Sequence, residues 1–202
     1  MLLHQSTWQE IETYLETSTG IVIPIGSTEQ HGPNGLLGTD ALCPEIIAHE
    51  ASKTSDLLVA PTFNVGIAQH HLGFPGTITL RPSTMLAALQ DWIDSLVRHG
   101  FTRFYFLNGH GGNVPTLQAA IAESYSDWSL SGEPCPYRLA SRNWWDLPGV
   151  AKVCRDVFPV GDGSHATASE VAVTYYGYPE SVKRVEMTPK IAPDGDFPML
   201  PI

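Results

Sequence analysis

The 202-residue sequence has no cluster of basic residues, no Cys-x-x-Cys pair, no apolar run of membrane length and few charges of either sign. Each absence removes a class of function. Eleven Lys and Arg stand against 21 Asp and Glu, a net charge of −10, so phosphate backbones and anionic lipid are repelled and neither nucleic acid nor a membrane is an expected partner. Cys43, Cys135 and Cys154 are odd in number and widely spaced, which argues against a disulfide framework or a structural zinc site and for reduced thiols in a cytoplasm. The opening "MLLHQSTWQEIETYLE" lacks a basic region followed by a long apolar run, and nothing approaches the roughly 20 apolar residues of a membrane helix, so a soluble cytoplasmic protein is expected. What is present is a chain that is 43% apolar and 16% charged, of a length that suits a single globular domain over residues 1–202.

Apolar strands alternate with amphipathic helices along the sequence. Ser6 or Thr7 can cap a helix carrying Trp8, Ile11, Tyr14 and Leu15, stopped by Gly20, and "IVIPIG" then reads as a buried strand. From Thr39 the pattern is helical through "ALCPEIIAHEAS"; "LLVAP" is a short strand and "TFNVGIAQHHLGFPGT" a long loop rich in Gly and His. Pro82 and Ser83 open a helix that Gly100 ends, and "TRFYFLNG" is the next strand. Asn113 or Thr116 starts the helix "LQAAIAESY", a strand lies around Tyr137 to Ser141, and "HATASEVAVTYYGYP" contains a late helix. Parallel strands need helical crossovers and a sheet covered on both faces, so the expected fold is α/β, a three-layer α/β/α sandwich around a mostly parallel sheet.

In such sheets ligands bind beyond the carboxyl ends of strands, where both "GSTEQHG" and "NGHGGN" fall. Glu29 and His31 are two apart and project to the same side of extended chain, Asp40 opens the next helix, and His110 sits among glycines that let a ligand approach closely. His165 and Glu170 flank the start of the last helix. Carboxylates and imidazoles together suit one or two divalent ions, Zn²⁺, Mn²⁺ or Fe²⁺. His71, ahead of "GFPGT", and the tandem Trp144 and Trp145 are candidates for lining a substrate pocket, because a flat amide stacks on an aromatic face. His70, His4, His49 and His99 read as structural or exposed, and Cys43 as a small core residue.

"IPIGSTEQHGPNGLLGTDA", "GFPGTITL", "LNGHGGN" and "HATASE" resemble, in order and spacing, the motifs of the creatininase (creatinine amidohydrolase) family, over about Ile23 to Glu170. The resemblance implies an α/β/α sandwich, often hexameric, whose one- or two-metal centre hydrolyses C–N bonds of small amides. By position it implies Glu29, His31, Asp40 and His110 as ligands, Asp40 bridging where two ions bind, Glu170 as the late glutamate completing the centre and His165 as the histidine of proton transfer. Creatininase proper resembles "NGHYEN" at the third motif, so a glutamate ligand is replaced here by Gly112, and Thr167 and Ala168 stand where many relatives have Gly-Glu. The stretch "APDGDFPMLPI" stands where relatives usually continue into another helix.

Two other readings compete with a metal-dependent amidohydrolase acting on a cyclic amide, a formamide or a similar small amide. One is a phosphate- or nucleotide-binding module using "NGHGGN" as an anion cradle, although no Walker-type lysine follows the glycines. The other is a catalytically silent relative whose site only supports an oligomer.

Overall fold

The computed structural model describes residues 1–160 and 163–186; "APDGDFPMLPI" lies outside the described residues. Helix α1 (Trp8–Leu15) starts at Thr7, whose hydroxyl accepts from the Glu10 N–H while the Glu10 carboxylate accepts from the Thr7 N–H at 2.6 Å, a reciprocal cap. Its inner face is Ile11, Tyr14 and Leu15; Trp8 is 70% exposed, and Gly20 begins the next strand instead of ending the helix.

Strands β1 (Gly20–Ile25), β2 (Arg103–Asn108) and β3 (Arg138–Asn143) form a parallel sheet in that order, with Ile21 opposite Phe104 and Phe104 opposite Leu139. The expected "LLVAP" strand lies along the free edge of β1 as a single bridge, Val22 to Val59, with a second from Ile25 to Phe63 just beyond it. Between those bridges the outer segment spends one more residue than β1, at Pro61, which has no N–H for a ladder.

Alternation along the strands separates the two faces. Ile21, Ile23, Ile25, Phe104 and Phe106 pack with α1, α3 (Pro82–Arg98) and α4 (Val114–Ser131), around Met85, Leu89, Ile93 and Leu117. Val22 and Leu107 face α2 (Thr39–Ser52) and α6 (Ala168–Gly177) through Cys43, Ala48 and Val173. The result is the three-layer α/β/α arrangement. Helix α4 runs well beyond "LQAAIAESY", to Gly132 in the left-handed region at φ 76°, and the short α5 (Val150–Val157) carries no side-chain cap from which the sequence could have announced it. Among the described residues no helix is long and apolar enough to cross a membrane.

Candidate metal centre

The chain leaves β1 through Gly26 and β2 through Gly109, and both glycines rest on the first turn of α2. A Cβ at either position would overlap the Asp40 carbonyl oxygen. That carbonyl also lacks the usual helical partner, because Pro44, four residues on, has no N–H. The glycines thus let α2 drive its N-terminal end between the two strand exits and deliver Asp40 to them.

The Asn108 amide grips the main chain of His110, donating to its carbonyl at 2.7 Å and accepting from its N–H at 3.2 Å. Asn113 ties the two strand exits to the His-rich loop, donating to the Gly26 carbonyl at 2.9 Å and accepting from the Ile67 N–H at 3.0 Å. Neither asparagine was given a role at the site from sequence: Asn108 stood there at the end of a strand and Asn113 as a helix start.

Glu29, His31, Asp40, His110 and Glu170 are all buried. His31 Nε2 is 3.0 Å from Asp40 Oδ1 and His110 Nδ1 is 2.8 Å from Asp40 Oδ2, so Asp40 sits between the two imidazoles. The opposite nitrogen of each ring meets a backbone carbonyl: His31 Nδ1 the Glu29 oxygen at 3.1 Å, His110 Nε2 the Ile67 oxygen at 2.8 Å. Those carbonyls take the ring N–H and aim the remaining nitrogen at Asp40, the outer arrangement usual for metal-ligating histidines. Glu29 Oε2 accepts from Ser27 Oγ at 3.0 Å and lies 3.3 Å from His110 Nε2. Among the described residues, Glu29 Oε1 and Asp40 Oδ2 are buried without a well-formed hydrogen bond, an unfavourable state for a carboxylate unless a cation occupies the space.

Ligand atoms of Glu29, His70 and His110, of Glu29, His31 and His165, and of His31, Asp40 and Glu170 lie within 4.8 Å of one another. His70, read from sequence as structural or exposed, therefore joins the cluster, with its ring stacked on His110 at 6.0 Å. Glu170 is steadied by the cap of α6, where the Thr167 N–H and hydroxyl donate to its Oε2 at 2.8 and 2.9 Å. At Gly112 a Cβ would strike the His110 ring and the Ile67 carbonyl, so the bare backbone there is what lets His110 take this position.

The rim differs. His71 Nε2 is 3.5 Å and His165 Nδ1 3.8 Å from Glu29 Oε1, and the Gln30 amide nitrogen lies 2.9 Å from the outer nitrogen of each ring. Burial and then neighbouring histidines hold both rings neutral, down to about 4. For His31 burial opposes the charge, but Asp40 outweighs it and raises the group to about 9. Burial pushes Glu29 up to about 7; burial would also raise Asp40, yet His110 and His31 bring it down to about 2.

Trp144, offered from sequence as a pocket wall, lies in the core. It is 4% exposed and packs with Val22, Cys43, Ala48, Val59 and Leu107, with Trp145 against the same cluster at 6.1 Å between rings. Trp144 at the end of β3 is thus enclosed beside α2, while Trp145 is only partly buried. Cys43 is buried as expected, and burial pushes its thiol well above the ordinary range, which removes it as a nucleophile.

Comparison with known proteins agrees with this fold. A creatinine amidohydrolase of Pseudomonas putida is 27% identical over 96% of this chain and 80% of its own length. A mycofactocin precursor peptide peptidase of Mycolicibacterium smegmatis is 37% identical and a 3-dehydro-scyllo-inosose hydrolase of Thermotoga maritima 34% identical; these matches cover 50% and 52% of this chain but only 43% and 34% of the relatives. A solved creatinine amidohydrolase superposes with a TM-score of 0.83 at 26% identity, covering 98% of this chain and 81% of that one. A creatininase with Mn gives 0.81 at 25% over 98% and 82%, and a Zn–Zn form is also among the matches. The creatinine amidohydrolase family model matches residues 4–199, and the chain belongs to the creatininase family.

Proposed function

We propose that this chain hydrolyses the C–N bond of a small amide, cyclic amide or formamide, using one or two divalent ions held by Glu29, His31, Asp40, His110 and Glu170. The observation that carries the reading is a pair of buried carboxylate oxygens that are incompletely bonded among the described residues: Asp40 Oδ2 against His110, whose other nitrogen is pinned by a backbone carbonyl, and Glu29 Oε1 beside the rim histidines. A divalent ion held there would supply Lewis-acid polarisation of the amide carbonyl and lower the pKa of a water towards about 7.

The residues divide the remaining work. Asp40, reaching His31 with one oxygen and His110 with the other, would hold metal together with those two imidazoles. Glu170, within 4.8 Å of His31 and Asp40, supplies the carboxylate that Gly112 does not. His165 borders the cluster at the partly open rim, where a proton can be passed to the departing nitrogen. His71 orients substrate beside Glu29. The buried carboxylates argue against the phosphate cradle, since an anion at "NGHGGN" would sit against Glu29 and Asp40. The loop that carries His70 and His71 also exposes Leu72, Phe74 and Ile78 by more than half, which supports a homo-oligomer, a hexamer on the family pattern.

Elemental analysis of the purified protein, followed by a panel of lactams, formamides and short peptides assayed with Zn²⁺, Mn²⁺ and Fe²⁺, tests the proposal. Bound metal with turnover that chelation abolishes is the expected result. Turnover that survives exhaustive chelation overturns it, and metal without turnover on any amide supports the silent relative instead.

A further inference from the structure

Gln30 sits between two residues of the centre and was given no role by the sequence motifs, yet its side chain has a fully determined hydrogen-bonding state. Its Oε1 accepts from the Gly32 backbone N–H at 3.0 Å, and a backbone N–H can only donate, so the amide orientation is fixed. The amide nitrogen, which can only donate, then faces His71 Nδ1 and His165 Nε2, each at 2.9 Å. An NH₂ group has two protons, one for each ring. Both ring nitrogens must therefore be acceptors.

We propose that Gln30 is a positioning residue that sets the tautomers of His71 and His165, so that both rings present an N–H, from His71 Nε2 and His165 Nδ1, towards Glu29 Oε1 and the reacting groups. The rings lie nearly parallel at 4.4 Å between centroids, so one amide fixes them as a unit. Glu29 Oε1, buried and without a well-formed hydrogen bond among the described residues, is where the two N–H groups converge, 3.5 and 3.8 Å away. One consequence is that His165 enters the site as a hydrogen-bond donor and not as a metal ligand, although its nitrogen lies within ligand range of Glu29 and His31. A second is that the Nδ1–H form, the minority tautomer of free imidazole, is imposed on His165 by the amide. To carry a full extra proton, His165 must first break with Gln30, which couples proton transfer to motion of that amide. The catalytic consequence rests on the amidohydrolase reading above; the tautomers do not.

Two-bond ¹H–¹⁵N correlation spectra of ¹⁵N-histidine-labelled protein, metal-free and loaded with Zn²⁺, read the tautomers directly, with His71→Gln and His165→Gln assigning the signals. The expected result is His71 as the Nε2–H and His165 as the Nδ1–H form in both states. Gln30→Ala releases His165 to the Nε2–H form. Gln30→Glu, nearly isosteric but accepting where the amide donates, reverses both rings and keeps the variant informative should the alanine variant not fold. Zinc stoichiometry is retained in Gln30→Glu, while kcat on any turned-over amide falls about 100-fold or more with a smaller change in KM. His165 found as Nε2–H in the parent protein, or tautomers unchanged in Gln30→Glu, overturns the proposal. Correct tautomers without amide turnover would instead leave it standing and count against the hydrolase reading.

Discussion

His31 and His110 on one side of the centre and His71 and His165 on the other are the same residue type within one cluster, yet their chemistry is opposite. The first pair is buried against Asp40, and each ring aims a nitrogen at the carboxylate after giving the other to a backbone carbonyl. The second pair is held by the Gln30 amide and turns its other nitrogens towards Glu29. Charge follows the partner: the carboxylate raises His31 to about 9, while burial and neighbouring histidines lower His71 and His165 to about 4. Residue type says that a histidine can bind metal, and the group on its far nitrogen decides whether it will.

The largest effect is expected where the first pair loses its shared partner. Asp40→Asn leaves two buried imidazoles without their carboxylate, so metal content should fall below about a tenth of the parent protein and turnover with it. Breaking buried ion pairs of this kind costs about 3–5 kcal/mol, which thermal unfolding of the metal-free variant would register. By contrast, His165→Ala on the rim should leave metal stoichiometry intact while reducing kcat by about 10²–10⁴-fold. Metal loss in His165→Ala equal to that in Asp40→Asn would erase the distinction between the two halves.

The contrast can be sharpened by pH. On the proposed ligand set, metal requires His31 neutral and Glu29 ionised, but in the metal-free protein burial raises Glu29 to about 7 and Asp40, against burial, raises His31 to about 9. Zinc affinity should therefore rise about tenfold per pH unit between 7 and 9, where one proton is displaced, and more steeply below 7, where two are. Stability runs the other way. Both folded-state values lie above the ordinary 6.5 and 4.5, so each group's contribution is complete below its ordinary value and lost as pH rises through the raised one. The melting temperature of metal-free protein should fall from pH 6.5 to 9 while that of zinc-loaded protein does not, and calorimetry in both states would show whether the gap widens with pH.

These halves were not equally legible in the sequence. Alternating strands and helices announced the layers, and Glu29, His31, Asp40 and His110 stand in motifs after predicted strands, where an α/β sheet gathers ligands. Gln30, Asn108 and Asn113 were passed over because amides act through partners far away in sequence: Gln30 reaches His165, and Asn113 reaches Gly26. His70 was set aside because nothing local places its ring over His110. Gly112 was read as a missing carboxylate, whereas the structure adds that its lack of a side chain makes room for the His110 ring. Gly112→Ala should accordingly displace that ring and weaken metal binding about tenfold, measurable by chelator competition, without touching the rim.

The smallest effect should come from outside both halves, at Trp144. Its indole is enclosed by Val22, Cys43, Ala48, Val59 and Leu107, and its Nε1–H is buried without a partner among the described residues. Trp144→Phe loses packing contacts but also removes that unpaired donor, two terms of opposite sign and each on the order of 1–3 kcal/mol. The melting temperature should shift by only a few degrees, with KM unchanged on any amide the enzyme turns over. A KM raised tenfold at unchanged stability would put the indole against substrate, extend the working surface past the rim histidines to the end of β3, and require this side chain to leave the core when substrate binds.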